Sequence, residues 1–289
     1  MSGAHPLGAP RRLSLPDGRS LSARRAGVGR AVVVFESGMG FSAAAWGRVV
    51  PAVSCFAATV CYDRAGIGAS DEDGAPRTLV RLADDLGALL AAETRPLILV
   101  GHSWGGPIVR TLAARRTLDV RALVLVDQTD EHIDSYFTPA LAERMVSRPP
   151  RFSSLSARAS IALLRRRALH AQPMEVGMQL RRDLAALERT MAPELAQFLP
   201  SLSALRQDAA HLDAVRNIRA SVITGMRAGF GERTRRREIN RAHATTARRL
   251  DAHLIPATRS GHNVIFDQPE LIVAELRRVV DEAGLSPRG

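Results

Sequence analysis

The chain contains no lysine, so all 40 of its basic residues are arginine, and against 29 acidic residues they give a formal net charge of +11. Lysine contacts phosphates as well as arginine does, so its complete loss indicates a coding bias rather than selection for a nucleic acid. The arginines are also dispersed, and their densest runs lie among alanine and leucine with few aromatic residues. We therefore expect no nucleic-acid partner. The charge indicates a solvated surface, or attraction of an anionic substrate or acidic protein.

Cysteine and long apolar segments are also scarce. Only Cys55 and Cys61 occur, too few for a disulfide framework, and we expect both thiols to be reduced and buried. No uninterrupted apolar run approaches the ~18 residues of a membrane span, and no apolar signal-peptide core precedes Pro16. These absences predict a cytoplasmic protein that does not bind a membrane.

The length and hydrophobic content are typical of a globular enzyme. The 289 residues fit one large domain, or a core with an inserted subdomain. Hydrophobic residues make up 46% of the chain, which is sufficient for a sizeable core. Aromatic residues make up only 4% of the chain. This low content argues against a large aromatic ligand that stacks on several rings.

Apolar segments of strand length alternate with amphipathic helical patterns, after a first hairpin around Pro16-Asp17-Gly18. The alternation indicates the α/β class, with a mainly parallel central sheet flanked by helices on both faces. In such a sheet ligands bind beyond the carboxyl ends of the strands. The predicted helices are Leu79–Ala92, Ile108–Arg115 and Leu271–Ala283, and the predicted strands are Val32–Phe35, Thr59–Tyr62, Leu97–Val100, Ala122–Val126, Ser221–Thr224 and His253–Ile255.

The segment Gly101-His102-Ser103-Trp104-Gly105 lies between a predicted strand and a predicted helix. A Gly-x-Ser-x-Gly turn in that position forms a nucleophile elbow. The two glycines leave room where strand and helix meet, and the strained turn makes the Ser103 hydroxyl project above the sheet. The helix N-terminus also directs backbone N–H groups toward any anion that forms on a substrate.

This elbow resembles that of the α/β-hydrolase superfamily, and four further blocks in the same order extend the resemblance along nearly the whole chain. The predicted strand Val32–Phe35 leads into Ser37-Gly38, where the family often has His-Gly. Val60–Ser70 is similar to the family's Asp-x-Arg-Gly-x-Gly-x-Ser loop, with a spacing difference at Ala65. The other blocks are an apolar strand ending in Asp127 and the segment Ser260-Gly261-His262-Asn263. The resemblance implies the α/β-hydrolase fold and a serine hydrolase.

The alternation of strands and helices stops between residues 131 and 219, where the family commonly carries a helical cap. We expect this stretch, which has helical patterns divided by prolines, to be a cap inserted into a core made of residues 1–130 and 220–289. Its larger apolar side chains are candidates for pocket lining, although packing within the cap is the commoner role. They are Tyr136, Phe137, Met145, Phe152, Met174, Met178, Met191 and Phe198.

A serine nucleophile needs a base that takes its proton as it attacks. His262 follows the last predicted strand, so it should lie at the same sheet edge as Ser103, and it matches the family's catalytic histidine. His102 adjoins the serine but should point away from it. We therefore assign His102 to packing or to indirect support of the site.

The acid that orients the histidine is less well defined. The family usually places it after the strand predicted at Ser221–Thr224, but no aspartate follows there and the first carboxylate is Glu232. Some members carry the acid one strand earlier, where this chain has Asp127. We predict Asp127, with Glu232 and Asp130 as the alternatives.

An oxyanion hole completes the predicted site. The N–H of Trp104 should stabilise the developing anion. Alignment of Ser37-Gly38, after the predicted strand Val32–Phe35, with the family's His-Gly makes the N–H of Met39 the second donor. Residues 63–70 are expected to form a structural loop. The sequence contains no pattern typical of a metal site or of a phosphate-binding loop, so we expect no cofactor and no metal.

The predicted activity is hydrolysis of an ester, or of a lactone or thioester, on a small acyl substrate. An acyltransferase or cyclising thioesterase would use the same residues, and so would a carbon–carbon bond hydrolase. A binding protein with little turnover is a further alternative, because a fold does not fix a function.

Overall fold

The computed structural model describes residues 5–139, 155–208, 210–229 and 231–285 and shows a sheet of eight strands. In chain order these are β1 (Ala9–Ser14), β2 (Ser20–Ala26), β3 (Val32–Glu36), β4 (Ala58–Tyr62), β5 (Leu97–His102), β6 (Val120–Val126), β7 (Arg219–Gly225) and β8 (His253–Ala257). Across the sheet the order is β1-β2-β4-β3-β5-β6-β7-β8. Strands β3 to β8 run parallel, and the β1–β2 hairpin joins β4 in antiparallel fashion. The predicted α/β class with a mainly parallel sheet is confirmed.

The central strands are apolar because helices cover both faces of the sheet. Every residue of β3 and β5 is buried, as in parallel sheets that are covered on both sides. Glu36 of β3 pairs with Gly101 of β5, and His102 pairs with Val126 of β6. These three strands therefore end at the same sheet edge, and the segments that follow them meet there.

The helices pack on the two faces in separate groups. In chain order they are α1 (Val50–Val53), α2 (Leu79–Leu90), α3 (Gly105–Ala114), α4 (Leu155–Leu169), α5 (Met174–Ala196), α6 (Phe198–Gln207), α7 (Ala210–Val215), α8 (Arg233–Arg249), α9 (Val264–Asp267) and α10 (Pro269–Glu282). Helices α1 and α10 contribute to the core on one face, and α2, α3 and α8 contribute to the core on the other. Among the described residues, no helix is both long enough and apolar enough to cross a membrane.

Helices α4 to α7 lie between β6 and β7, in the stretch that the sequence predicts to be a cap. Its described parts, residues 131–139, 155–208 and 210–218, contain helical turns and no strand. Helix α5 lies against the loop after β3, where the Thr190 hydroxyl donates to the Gly40 carbonyl at 3.2 Å. Met145 and Phe152 lie outside the described residues, and the division into core and cap stays a prediction.

Arg64 is buried at the junction of β3, the loop that follows it and α5. Its NH1 group donates to Glu36 at 2.5 Å and to the Ser37 carbonyl at 2.7 Å. Its NH2 group donates to the Gly38 carbonyl at 2.9 Å and to Glu194 at 2.9 Å, and Nε donates to Glu194 at 2.7 Å. A buried ion pair is favourable only when the remaining donors are also satisfied. Here every guanidinium hydrogen has an acceptor, so Arg64 joins α5 to the core.

The cysteines differ in exposure. Cys61 is buried within β4, as expected, but Cys55 is exposed, so the expectation of two buried thiols is wrong for Cys55. Cys55 lies in the turn that follows the short helix α1, on the side that faces solvent.

Asp183 makes a second connection between α5 and the core. Its carboxylate accepts hydrogen bonds from the Ser42 hydroxyl at 2.6 Å, the Ser42 N–H at 3.1 Å and Gln179 Nε2 at 2.8 Å. Burial disfavours the charged form and raises the pKa of Asp183 to about 6 in spite of these bonds. The folded chain therefore holds a proton on Asp183 at pH values where the unfolded chain has released it.

Replacement of Arg64 by methionine should lower the free energy of unfolding by about 3–5 kcal/mol, because Glu36 and Glu194 would stay buried without a counter-charge. Denaturant titration at neutral pH measures the loss. Arg189→Met is the matched control, because Arg189 pairs with Glu72 only on the surface and should cost less than about 1 kcal/mol. Equal losses in the two variants would contradict the role given to Arg64.

Asp183 should make the stability of the protein pH-dependent. Its pKa is higher in the folded state than its ordinary value of 3.8, so its contribution is fully present below about pH 4 and is lost as pH rises through about 6. The loss amounts to about 3 kcal/mol, since one pKa unit corresponds to ~1.4 kcal/mol. Asp183→Asn removes the titration. Between pH 4 and pH 8 the free energy of unfolding of Asp183→Asn should therefore increase relative to that of the parent protein. A difference that does not change with pH would refute this assignment.

Candidate active site

Ser103 lies in the sharp turn between β5 and α3. Its φ of +53° is in the left-handed region, which a serine adopts only where the surrounding structure imposes it. A Cβ on Gly101 would come within 2.5 Å of the Gly105 carbonyl, and a Cβ on Gly105 would come within 2.5 Å of the Glu36 carbonyl. Both glycines are therefore required for the close contact between strand and helix, and the turn has the backbone geometry of the predicted elbow.

Asp127 directly follows β6 and also has a positive φ, of +36°. Its buried carboxylate accepts hydrogen bonds from the Gly225 N–H at 2.7 Å and from both NH groups of Arg236, at 2.8 and 3.2 Å. The end of β7 and the first turn of α8 therefore fix the position of this carboxylate.

His262 lies in the loop between β8 and α9, and its Nδ1 is 2.8 Å from Asp127 Oδ2. Burial alone would raise the pKa of Asp127, but the hydrogen bond from His262 and the electrostatic interactions with His243, His262 and Arg236 outweigh it. They hold the pKa of Asp127 below its ordinary value. An ionised carboxylate only accepts hydrogen bonds, so Nδ1 carries the proton and Nε2 is left as an acceptor.

Ser103, Asp127 and His262 line one cavity of about 430 Å³. The rest of its wall is mostly apolar, and α5 and α6 contribute Met191, Leu195 and Phe198. Tyr136, Met191 and Phe198, three of the apolar candidates from the sequence, belong to this lining, whereas Met174 and Met178 are exposed. The size and lining are those of a small-molecule site.

The alternative acids do not contact His262. Glu232 precedes α8 and lines the cavity, but its carboxylate lies toward Gly229, where an added Cβ would meet Oε2 at 2.8 Å. Asp130 is buried and accepts hydrogen bonds from the His132 ring at 2.8 Å and from Thr246 at 2.6 Å. Of the three carboxylates considered, the structure brings only Asp127 to the histidine.

Asp130, Glu131 and His132 form one cluster of potential metal ligands within the described part of the chain. Their ligand atoms already have partners, because both oxygens of Glu131 pair with the buried Arg110 at 2.6 and 2.9 Å. Asp130 is bound by His132 and Thr246 as described above. These three side chains are therefore engaged in ion pairs and hydrogen bonds with other protein groups.

Met39 and Trp104, the residues predicted to supply the oxyanion hole, both line the cavity beside Ser103. Within the described residues, neither backbone N–H donates a hydrogen bond to another backbone group. An added Cβ on Gly38 would lie 3.1 Å from His102 Nδ1 and 3.3 Å from Ser103 Cβ, so the loop that carries Met39 packs closely against the serine turn.

His102 has a defined partner that the sequence did not reveal. Its Nε2 lies 3.1 Å from the carbonyl oxygen of His262, and the two imidazole rings are 5.1 Å apart. Burial and the proximity of His262 lower the pKa of His102 to about 3. The ring is therefore neutral and donates through Nε2 to the backbone of the loop that carries His262.

Arg236 was also missed, because the arginine run at residues 233–237 has the composition of a solvated helix face. The structure buries Arg236 against Asp127. Helical spacing could have revealed it, since Arg236 lies three residues before Ile239 and seven before the buried His243, on the face that packs against the sheet.

The sequence model of the Alpha/beta hydrolase family matches residues 33–275, which is most of the chain. The chain therefore belongs to the α/β hydrolase family.

Two relatives match shorter parts. YqjL of Bacillus subtilis (strain 168), an uncharacterized protein, is 35% identical over 105 residues, which cover 36% of this chain and 42% of YqjL. RutD of Azorhizobium caulinodans, a candidate carbamate hydrolase, is 32% identical over 96 residues, which cover 33% of this chain and 36% of RutD. The chain matches less than half the length of either relative.

A solved structure extends the likeness to the whole fold. A candidate lipase from Acinetobacter baumannii AYE aligns with a TM-score of 0.69 at 18% identity, and the alignment covers 96% of this chain and 93% of that chain. At this identity the likeness shows a common fold.

The contact between His262 and Asp127 can be tested by NMR, without an assay of enzyme activity. The proton on His262 Nδ1 should give a strongly downfield ¹H NMR resonance, because a short hydrogen bond to a carboxylate deshields it. Asp127→Asn should remove or displace this resonance. The control variants Glu232→Gln and Asp130→Asn, which alter the alternative acids, should retain it. Loss of the resonance in Glu232→Gln alone would assign the partner to Glu232.

Proposed function

We propose that the protein is a serine hydrolase that cleaves a carboxylic ester through an acyl-serine intermediate. The observation that carries the proposal is the lining of one cavity by Ser103 and by the hydrogen-bonded pair of His262 and Asp127. A serine on a strained elbow, beside an imidazole whose Nδ1 is bound to a carboxylate, has a base available at Nε2. A lactone or thioester would react by the same steps.

In this mechanism the Ser103 hydroxyl oxygen attacks the ester carbonyl carbon while Nε2 of His262 takes the hydroxyl proton. The carbonyl oxygen becomes an oxyanion, which the N–H groups of Met39 and Trp104 stabilise. When the carbon–oxygen bond breaks, the imidazolium gives its proton to the leaving alkoxide and the acyl group stays on Ser103. Water then attacks the acyl carbon with His262 again as base, and the acid product leaves as Ser103 recovers its proton.

Residues 131–219 act in this proposal as a helical cap over a core made of residues 1–130 and 220–289. Support comes from Met191, Leu195 and Phe198, which belong to this stretch and line the same cavity as Ser103. Apolar side chains over the reacting carbonyl would exclude water and strengthen the hydrogen bonds to the oxyanion. The anchors of α5 at Arg64 and Asp183 would keep these side chains in place.

The names of two similar proteins are consistent with reaction at a carbonyl carbon. RutD is a candidate carbamate hydrolase and the Acinetobacter protein is a candidate lipase. A 4-nitrophenyl ester of a short acid is therefore a suitable first substrate, because it needs few contacts beyond those to the carbonyl group.

A fluorophosphonate probe should label the protein at Ser103, because the phosphonyl group reacts with a serine that has a neighbouring base. Ser103→Ala should abolish labelling and lower kcat on a 4-nitrophenyl ester by about 10⁴-fold or more while the fold is retained. Mass spectrometry of the labelled peptide and circular dichroism measure the two effects. Ser260→Ala, at a buried serine near His262, is the matched control and should still be labelled. A label on a serine other than Ser103 would contradict the assignment.

A further inference from the structure

Two consecutive arginines of α8, Arg235 and Arg236, line the cavity and differ in their partners. Arg236 is buried and bonded to Asp127 and to the Gly225 carbonyl. Arg235 is exposed, its guanidinium carbon lies 6.0 Å from the centre of the Tyr136 ring, and it has no carboxylate within salt-bridge distance in the described part of the chain. Arg235 therefore presents an unneutralised positive charge to the cavity.

The position of Arg235 in its helix is unfavourable for stability. It lies in the first turn of α8, which contains no acidic residue. The N-terminus of a helix carries partial positive charge, so cations there are repelled and carboxylates are preferred. For Arg236 the ion pair with Asp127 offsets this repulsion. Arg235 contacts Tyr136 and lies one turn from the N-cap residue Glu232, but it forms no ion pair with a carboxylate in the described residues. A substrate anion would provide the missing compensation.

The other charged side chains that line the cavity do not neutralise Arg235. Asp127 is bound to Arg236 and His262, and Glu232 is turned toward Gly229. Arg235 lies beside the aromatic ring of Tyr136, and the uncharged lining of the cavity is mostly apolar, with Ser103, Gln128 and Thr129 as its polar members. Charges interact more strongly beside such surfaces than in water, and the fork of N–H groups on a guanidinium matches the two oxygens of a carboxylate.

We propose that the cavity takes esters that carry a second, free carboxylate, and that Arg235 binds this carboxylate. The inference rests on the proposed esterase function and names its substrate class: half-esters of short dicarboxylic acids, or esters of comparable size with an acid group. A volume of about 430 Å³ accommodates molecules of this size.

The test compares two esters of equal length, mono(4-nitrophenyl) glutarate and the 4-nitrophenyl ester of glutaramic acid, in which a neutral amide replaces the carboxylate. The parent should prefer the carboxylate ester. Arg235→Gln should lower kcat/KM for it by about 10- to 100-fold, mainly through KM, because it removes one charge-assisted contact. The amide ester should change by less than about threefold. Arg235→Lys should retain part of the preference.

Two further variants sharpen the comparison. Glu232→Gln removes the negative charge that lines the same cavity, so it should raise kcat/KM for the carboxylate ester more than for the amide ester. Arg237→Gln removes a neighbouring arginine that does not line the cavity, and it should affect both esters equally and little. The melting temperature of Arg235→Gln should stay the same or rise, since a cation leaves the positive end of the helix.

Binding to the Ser103→Ala variant separates this inference from the proposed function. Calorimetry should give a lower Kd for the carboxylate ester than for the amide ester, and Arg235→Gln in the same background should abolish the difference. Equal affinity for the two esters, or equal losses on both after Arg235→Gln, would overturn the inference even if Ser103 is the nucleophile. Absence of turnover and of probe labelling in the parent would instead refute the esterase mechanism. Calorimetry would still show whether the cavity binds the carboxylate ester more tightly than the amide ester.

Discussion

The buried guanidinium of Arg64 is the interaction on which the arrangement around the cavity depends. It binds the carboxylate at the end of β3, two carbonyls of the loop that carries Met39, and Glu194 of α5. The loop over Ser103 and the helix that lines the cavity are therefore positioned by the same side chain. Because a buried charge without its partners is costly, these three parts of the molecule are held together or lost together.

The absence of lysine gives these internal contacts a common chemistry. Arg64, Arg110 and Arg236 are each buried, and each binds a carboxylate through more than one N–H group. A guanidinium is planar and more weakly hydrated than an ammonium group, so it tolerates burial and matches the geometry of a carboxylate. The arginines of this lysine-free chain, whose composition indicates a coding bias, therefore form buried ion pairs with carboxylates that lysine would form less well.

The sequence was sufficient to predict the sheet and the meeting of Ser103, Asp127 and His262 at one edge, because parallel strands bring the residues after their carboxyl ends together. Their catalytic roles stay a prediction. Two supporting contacts were missed for different reasons. Arg236 lies in a run of arginines, and only its spacing to His243 distinguishes it from its solvated neighbours. His102 binds a backbone carbonyl, and a carbonyl acceptor has no sequence signature. The exposure of Cys55 was missed because composition does not reveal which face of a turn meets solvent.

The different surroundings of the two thiols provide a chemical reporter on the strand that leads to Arg64. Cys61 is buried in β4 between β2 and β3, three residues before Arg64, whereas Cys55 is open to solvent. A thiol reagent would therefore modify Cys55 quickly in the native protein and reach Cys61 only when this edge of the sheet opens. The rate of the second modification measures how often the sheet separates beside the arginine that holds the cavity together, without any engineered label.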